Sequence, residues 1–201
     1  MTSQYSESRF IVISTILSLL LGFFFAGALP ASGATMSVSA TAPTVDGADI
    51  AQLTGGSDPG GNLGHLWSNR PVHGQTFRPT AASTLYAVTL STRGAGNTGQ
   101  NYNIRVGTVS GSTFTQVAAE TATSVAIAAW DYVTITFATP IALTANTLYA
   151  FDMGCTGSGF ISDANAGDVL ADSQAYSSGA NGVGSGTMTL HSLDRVFHVD
   201  M

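Results

Sequence analysis

The chain contains no lysine, one cysteine and, after its first 34 residues, a single glutamate, Glu120. Each scarcity excludes something. With no lysine and a formal net charge of −6, the chain has no basic patch to neutralise a phosphate backbone, which argues against a nucleic-acid partner. Cys155 alone forms no intrachain disulfide, so the core must hold the fold. It reads as a small buried side chain, with an intermolecular bridge as the alternative. Neither this cysteine nor the four histidines has a spacing that suits zinc. No Gly-x-Ser-x-Gly elbow stands in a strand-to-helix setting. Asp131, Asp152 and Asp194 border strand-like segments and could face a groove, but the same positions suit strand-end capping or arginine pairing. A non-catalytic protein is therefore expected. No segment repeats its apolar residues every 3.6 positions over three turns, so helices are not expected.

What is present is concentrated first at the N-terminus. Phe10 to Leu29 is an almost unbroken apolar run, preceded by Arg9 and followed by Ala31-Ser32-Gly33-Ala34. A positive start, an apolar middle and small residues at the end are the layout of a secretory signal peptide. Residues 1–34 are expected to be that leader, with cleavage after Ala34, or after Gly33 as the runner-up. An uncleaved membrane anchor is the competing reading. The mature protein is then secreted, with or without loose association with the cell surface. Residues 35–70 are expected to hold a first strand and a turn-rich loop, as part of the domain or its lead-in, and residues 71–201 a β-sandwich core.

Thr, Ser, Ala and Gly dominate that mature chain, a composition that favours strands over helices. A first strand is expected at Met36–Ser39. The segment Gly55 to Asn62 crowds Gly, Asp, Ser and Pro and reads as a loop. Tyr86, Val88 and Leu90 share a parity, as do Tyr102, Ile104 and Val106, and Tyr149, Phe151 and Met153. Val133, Ile135 and Phe137 alternate with threonines, and Pro140 is expected to end that strand. Residues 157–186 read as a Gly/Ser/Asp/Ala-rich stretch, followed by closing strands at Thr187–His191 and Arg195–Val199. Many short strands separated by turns predict an all-β, antiparallel β-sandwich, of the jelly-roll type at this length.

Several phrases then line up. Gly74-Gln75-Thr76-Phe77-Arg78-Pro79 precedes Leu85 to Leu90. Phe137-Ala138-Thr139-Pro140-Ile141-Ala142-Leu143 leads to Leu148-Tyr149-Ala150-Phe151, and Asp194 to Val199 closes the chain. The pattern resembles the secreted bacterial jelly-roll modules of cell-surface proteins, over roughly residues 70 to 201. Many such modules are similar to carbohydrate-binding modules, so the resemblance implies polysaccharide, or another cell-surface component, as the partner.

Sugar binding needs an aromatic face for stacking and polar groups for the hydroxyls. Trp67, with Asn69 and Arg70 beside it, and Trp130, next to Asp131, are the candidates. Each tryptophan could instead cap the end of the core. No cofactor is required by this reading. A structural Ca²⁺ is the one ion considered, at Asp163, Asn165 and Asp168, a poor match to an EF-hand loop because Gln174 stands where a bidentate glutamate belongs. A solvated turn explains the same residues. The runner-up function is a structural or adhesive protein that self-associates into homo-oligomers through edge strands. The third is a polysaccharide-degrading enzyme.

Overall fold

A computed structural model describes residues 33–55, 72–94, 96, 98–155, 161–165, 168–178 and 186–201. The strands are β1 (Thr35–Ser39), β2 (Ile50–Gln52), β3 (Val72–Phe77), β4 (Ser83–Gly94), β5 (Asn101–Ser110), β6 (Thr113–Thr123), β7 (Tyr132–Leu143), β8 (Tyr149–Cys155), β9 (Ile161–Ser162), β10 (Ala175–Ser178), β11 (Gly186–Thr187), β12 (Thr189–His191) and β13 (Phe197–Asp200). All pairings are antiparallel. One sheet has the order β1-β7-β4-β13-β2, with β9 paired to β4; the other has the order β11-β6-β5-β8-β3-β10-β12.

Alternation builds the core between them. Val133, Ile135 and Phe137 of β7 and Val88 and Leu90 of β4 meet Tyr102, Ile104 and Val106 of β5 and Tyr149, Phe151 and Met153 of β8 in one buried cluster. The expected β-sheet class and the parity of these strands are therefore observed.

The seven-stranded sheet nearly closes on itself. β11 and β12 lie at its opposite edges, yet only Met188 separates them in the chain. The strands must therefore curl until the edges approach, and the face turned away from the sandwich core becomes a second interior. Phe114, Ala150, Tyr176 and Met188 pack there. Two glycines make room for the rings. A Cβ on Gly74 would collide with the Tyr176 ring, and one on Gly107 with the Phe114 ring, whose Cζ would stand 2.6 Å away.

Several local expectations are corrected. Pro140 does not end β7, which continues to Leu143. The register with β4 shifts between Leu85 and Ala87, so residues 137–140 bulge. The freed amides of Ala138 and Thr139 donate to the Glu120 carboxylate at 2.8 and 3.1 Å. The same shift places Leu85 in the core and leaves Tyr86 47% exposed. The Gly/Ser-rich stretch holds β9 and β10. Residues 124–128 contribute an isolated bridge from Ile127 to Gly96.

Candidate functional site

Between β6 and β7 the chain turns through residues 124–131, and Thr92 of β4 clamps that turn. Its amide donates to the Asp131 carbonyl at 2.8 Å, and its carbonyl accepts the Trp130 amide at 3.0 Å. Its Oγ1 donates to the Ala128 carbonyl at 2.8 Å. The Asp131 carboxylate accepts the Ala128 amide at 2.7 Å. These bonds hold Trp130 at φ 71°, a left-handed conformation that costs a residue with a Cβ about 1–2 kcal/mol. The residue held there is nonetheless a large aromatic, and it is 57% exposed. The turn thus presents an apolar ring to water on a left-handed backbone.

Trp130 lies two residues before Tyr132, whose row across the sheet contains Ser39 of β1 and Ser91 of β4. The next row on that face is Ser37, Thr134, Thr89, His198 and Ala51, and the third is Thr35, Thr136, Ala87 and Asp200. Thr89 and Thr134 join through their hydroxyls at 2.9 Å. The three rows are thus rich in hydroxyls, and their histidine and carboxylate, His198 and Asp200, stand on β13. There it is closed by residues 40–49, which connect β1 at one edge to β2 at the other. The last of these, Asp49, bonds His198 Nε2 at 2.8 Å and accepts the Met201 amide at 2.9 Å. Burial alone pushes the Asp49 carboxyl up, but these bonds and the Asp46 amide hold it below the ordinary value of 3.8. The opposite end of the face, with Ser39 and Trp130, is exposed.

The interior of the curled sheet has the opposite character. One cross-strand row runs Ala119, Arg105, Asp152, Gly74, Tyr176, Leu190. Arg105 engages Asp152 through both Nε, at 2.9 Å, and Nη2, and Tyr176 donates its hydroxyl to the same carboxylate at 2.6 Å. The guanidinium also lies 4.6 Å above the Phe114 ring. Burial pushes the Asp152 carboxyl above its ordinary value, against the pull of Arg105 and Tyr176. Burial and the Asp152 charge together push the Tyr176 phenol well up. Arg195, fully buried, donates to the Gly74 carbonyl at 2.9 Å and to Ser162 Oγ at 2.5 Å. Its neighbour Asp194 accepts from Gln75 and from the amides of Val169 and Leu170. Asp194 and Arg195 are thus interior.

Trp67, Asn69 and Arg70 lie outside the described residues, as do residues 1–32 of the expected leader and the side chain of Cys155. Of the calcium candidates, Asp163 is buried with Oδ1 3.7 Å from Arg93 Nε. Asn165 donates to the Thr54 carbonyl at 3.2 Å. Asp168 is exposed, its carboxyl pushed up by partial burial and by Asp194. Among the described residues no three His, Cys, Asp or Glu side chains form a group that could hold a metal ion. Calcium at this loop would depend on backbone oxygens.

Sequence reasoning missed the Thr92 clamp, the Arg105–Asp152–Tyr176 network and the Glu120 bonds to the bulge. Each joins residues from strands far apart in the chain. No protein-family model, curated protein or solved structure matches this chain.

Proposed function

We propose that this chain is an exported, non-catalytic sandwich of the jelly-roll type that binds a neutral polysaccharide, with Trp130 as its stacking residue. The observation that carries the reading is the exposed indole held at φ 71° by the Thr92 clamp. A pyranose offers a CH-rich face to such a ring, while the hydroxyls of exposed Ser39 and half-buried Tyr132 in the adjoining row suit its equatorial hydroxyls. The strand order supports the jelly-roll assignment. β2-β13-β4-β7 faces β3-β8-β5-β6, so that, apart from the β5–β6 hairpin, these strands alternate between sheets in chain order as in two Greek keys. The leader layout of residues 1–34 supports export.

The charges support a neutral ligand. Among the described residues, Arg78, Arg93 and Arg105 pair with Asp172, Asp163 and Asp152, and Arg195 is buried. With a net charge of −6, a uronic-acid or sulfated polymer would be repelled.

The test is affinity electrophoresis of the exported chain in gels containing neutral and acidic polysaccharides, with and without calcium. Retardation by a neutral polymer supports the reading. Absence of retardation by every polymer, with a concentration-dependent oligomer, would favour the structural reading instead. That alternative has one observation behind it. On the side of β6 away from β5 the short strand β11 lies opposite Thr113 and Phe114, and Val117 of β6 is 54% exposed.

A further inference from the structure

The groove between β6 and the β7 bulge is lined by Gly33, Val117–Thr121 and Thr139–Ile141, and encloses about 690 Å³. Glu120 is the one charged side chain among these residues, and it is also the one glutamate after the leader. Ala34 is 7% exposed and belongs to the sandwich core with Met36. Thr35 is already paired, opposite Thr136. Gly33 passes so close to β6 that a Cβ there would stand 2.6 Å from the Thr121 carbonyl oxygen. Ala34 therefore belongs to the folded core, and cleavage after Ala34 would remove it.

We propose that the chain is processed at the Gly33–Ala34 bond, and that the α-ammonium so formed sits in this groove beside Glu120. The step is hydrolysis by a signal-peptidase-type enzyme. Water adds across the peptide bond, Gly33 keeps a carboxylate and Ala34 gains the amine. Ala31 and Gly33 supply the small residues that such an enzyme needs. This inference rests on the export reading. Cleavage at this bond keeps the Ala34 methyl in the core and puts a cation where the groove offers a carboxylate and a carbonyl. No other charged group lines the groove from β1, β6 or β7.

The absence of lysine makes the claim directly measurable, because the α-amine is then the only primary amine in the processed chain. The full chain is expressed in a secreting host, and the intact mass of the exported protein is determined. A chain beginning at Ala34 supports the proposal. One beginning at Thr35, or at any other residue after cleavage, overturns it and leaves the export reading standing. An uncleaved chain overturns both. The exported protein is then acetylated with a succinimidyl ester across pH 6 to 10. The ammonium beside Glu120 is expected to titrate above the ordinary α-amino range of about 7.7–8.0, and the Glu120→Gln variant to react roughly threefold faster near neutral pH. Equal rates would overturn the placement of the ammonium. Thr139→Ser, which keeps the backbone bond to Glu120, serves as the folding control and should react like the parent.

Discussion

The two sheets share one apolar core but treat their other faces in opposite ways. The six-stranded sheet turns outward a face of serine and threonine hydroxyls that ends at an exposed tryptophan. The seven-stranded sheet curls its far face inward and fills it with Arg105, Asp152 and Tyr176 under Phe114 and Met188. In a chain so poor in charge, the difference shows where the charges go. Arg105 and Asp152 lie inside the curled sheet, whereas on the outer face of the other sheet the ionic pair Asp49–His198 stands at the β13 side, away from Trp130. The two regions also handle unfavourable terms differently. The interior satisfies a buried ion pair with a third partner, whereas the Trp130 turn keeps a left-handed backbone under an indole that is mostly exposed.

The contrast breaks most severely at Asp152. Asp152→Ala leaves the Arg105 guanidinium buried and unpaired, and should destabilise the protein by about 3–5 kcal/mol in urea unfolding. A loss under about 1 kcal/mol would mean that the interior is open to water. Tyr176→Phe removes one donor to the same carboxylate and should cost about 1–3 kcal/mol. At the other region the sign reverses. Trp130→Gly relieves the left-handed strain and should stabilise by about 1 kcal/mol while abolishing polysaccharide retardation. Destabilisation by that variant would assign the indole to packing.

The smallest expected effect is the acid dependence at the closed end of the hydroxyl face. The Asp49 carboxyl titrates below its ordinary value of 3.8 in the folded chain. Its bonds therefore contribute fully above that value, and the contribution is lost as the pH falls through the folded one. Asp49→Asn should lower the Tm at pH 6, and the gap to the parent should narrow by pH 3. A gap that stays constant would show that the carboxylate charge does not matter there.

Much of this was legible along single strands. The alternation of Val133, Ile135 and Phe137 marks a core-facing strand whatever its neighbours, and Trp130 stands out as a tryptophan beside an aspartate at a strand's start. What was illegible is what depends on strands meeting. Arg105 follows Ile104 in a half-polar alternation that reads as facing solvent. It is buried because β8, 47 residues away, brings Asp152 opposite it and the sheet curls over both. Pro140 reads as a stop because it lacks an amide, but Glu120 satisfies the bulge that lets the strand continue. The left-handed φ of Trp130 follows from Thr92, a residue 38 positions earlier whose local sequence gives no sign of that role.

The most direct test of the account is the affinity of the exported chain for a neutral polysaccharide before and after Trp130→Ala, measured alongside its Tm. The account predicts that affinity falls at least tenfold while the Tm changes by no more than about 2 °C. Unchanged affinity, or a loss of affinity that merely tracks unfolding, would contradict it.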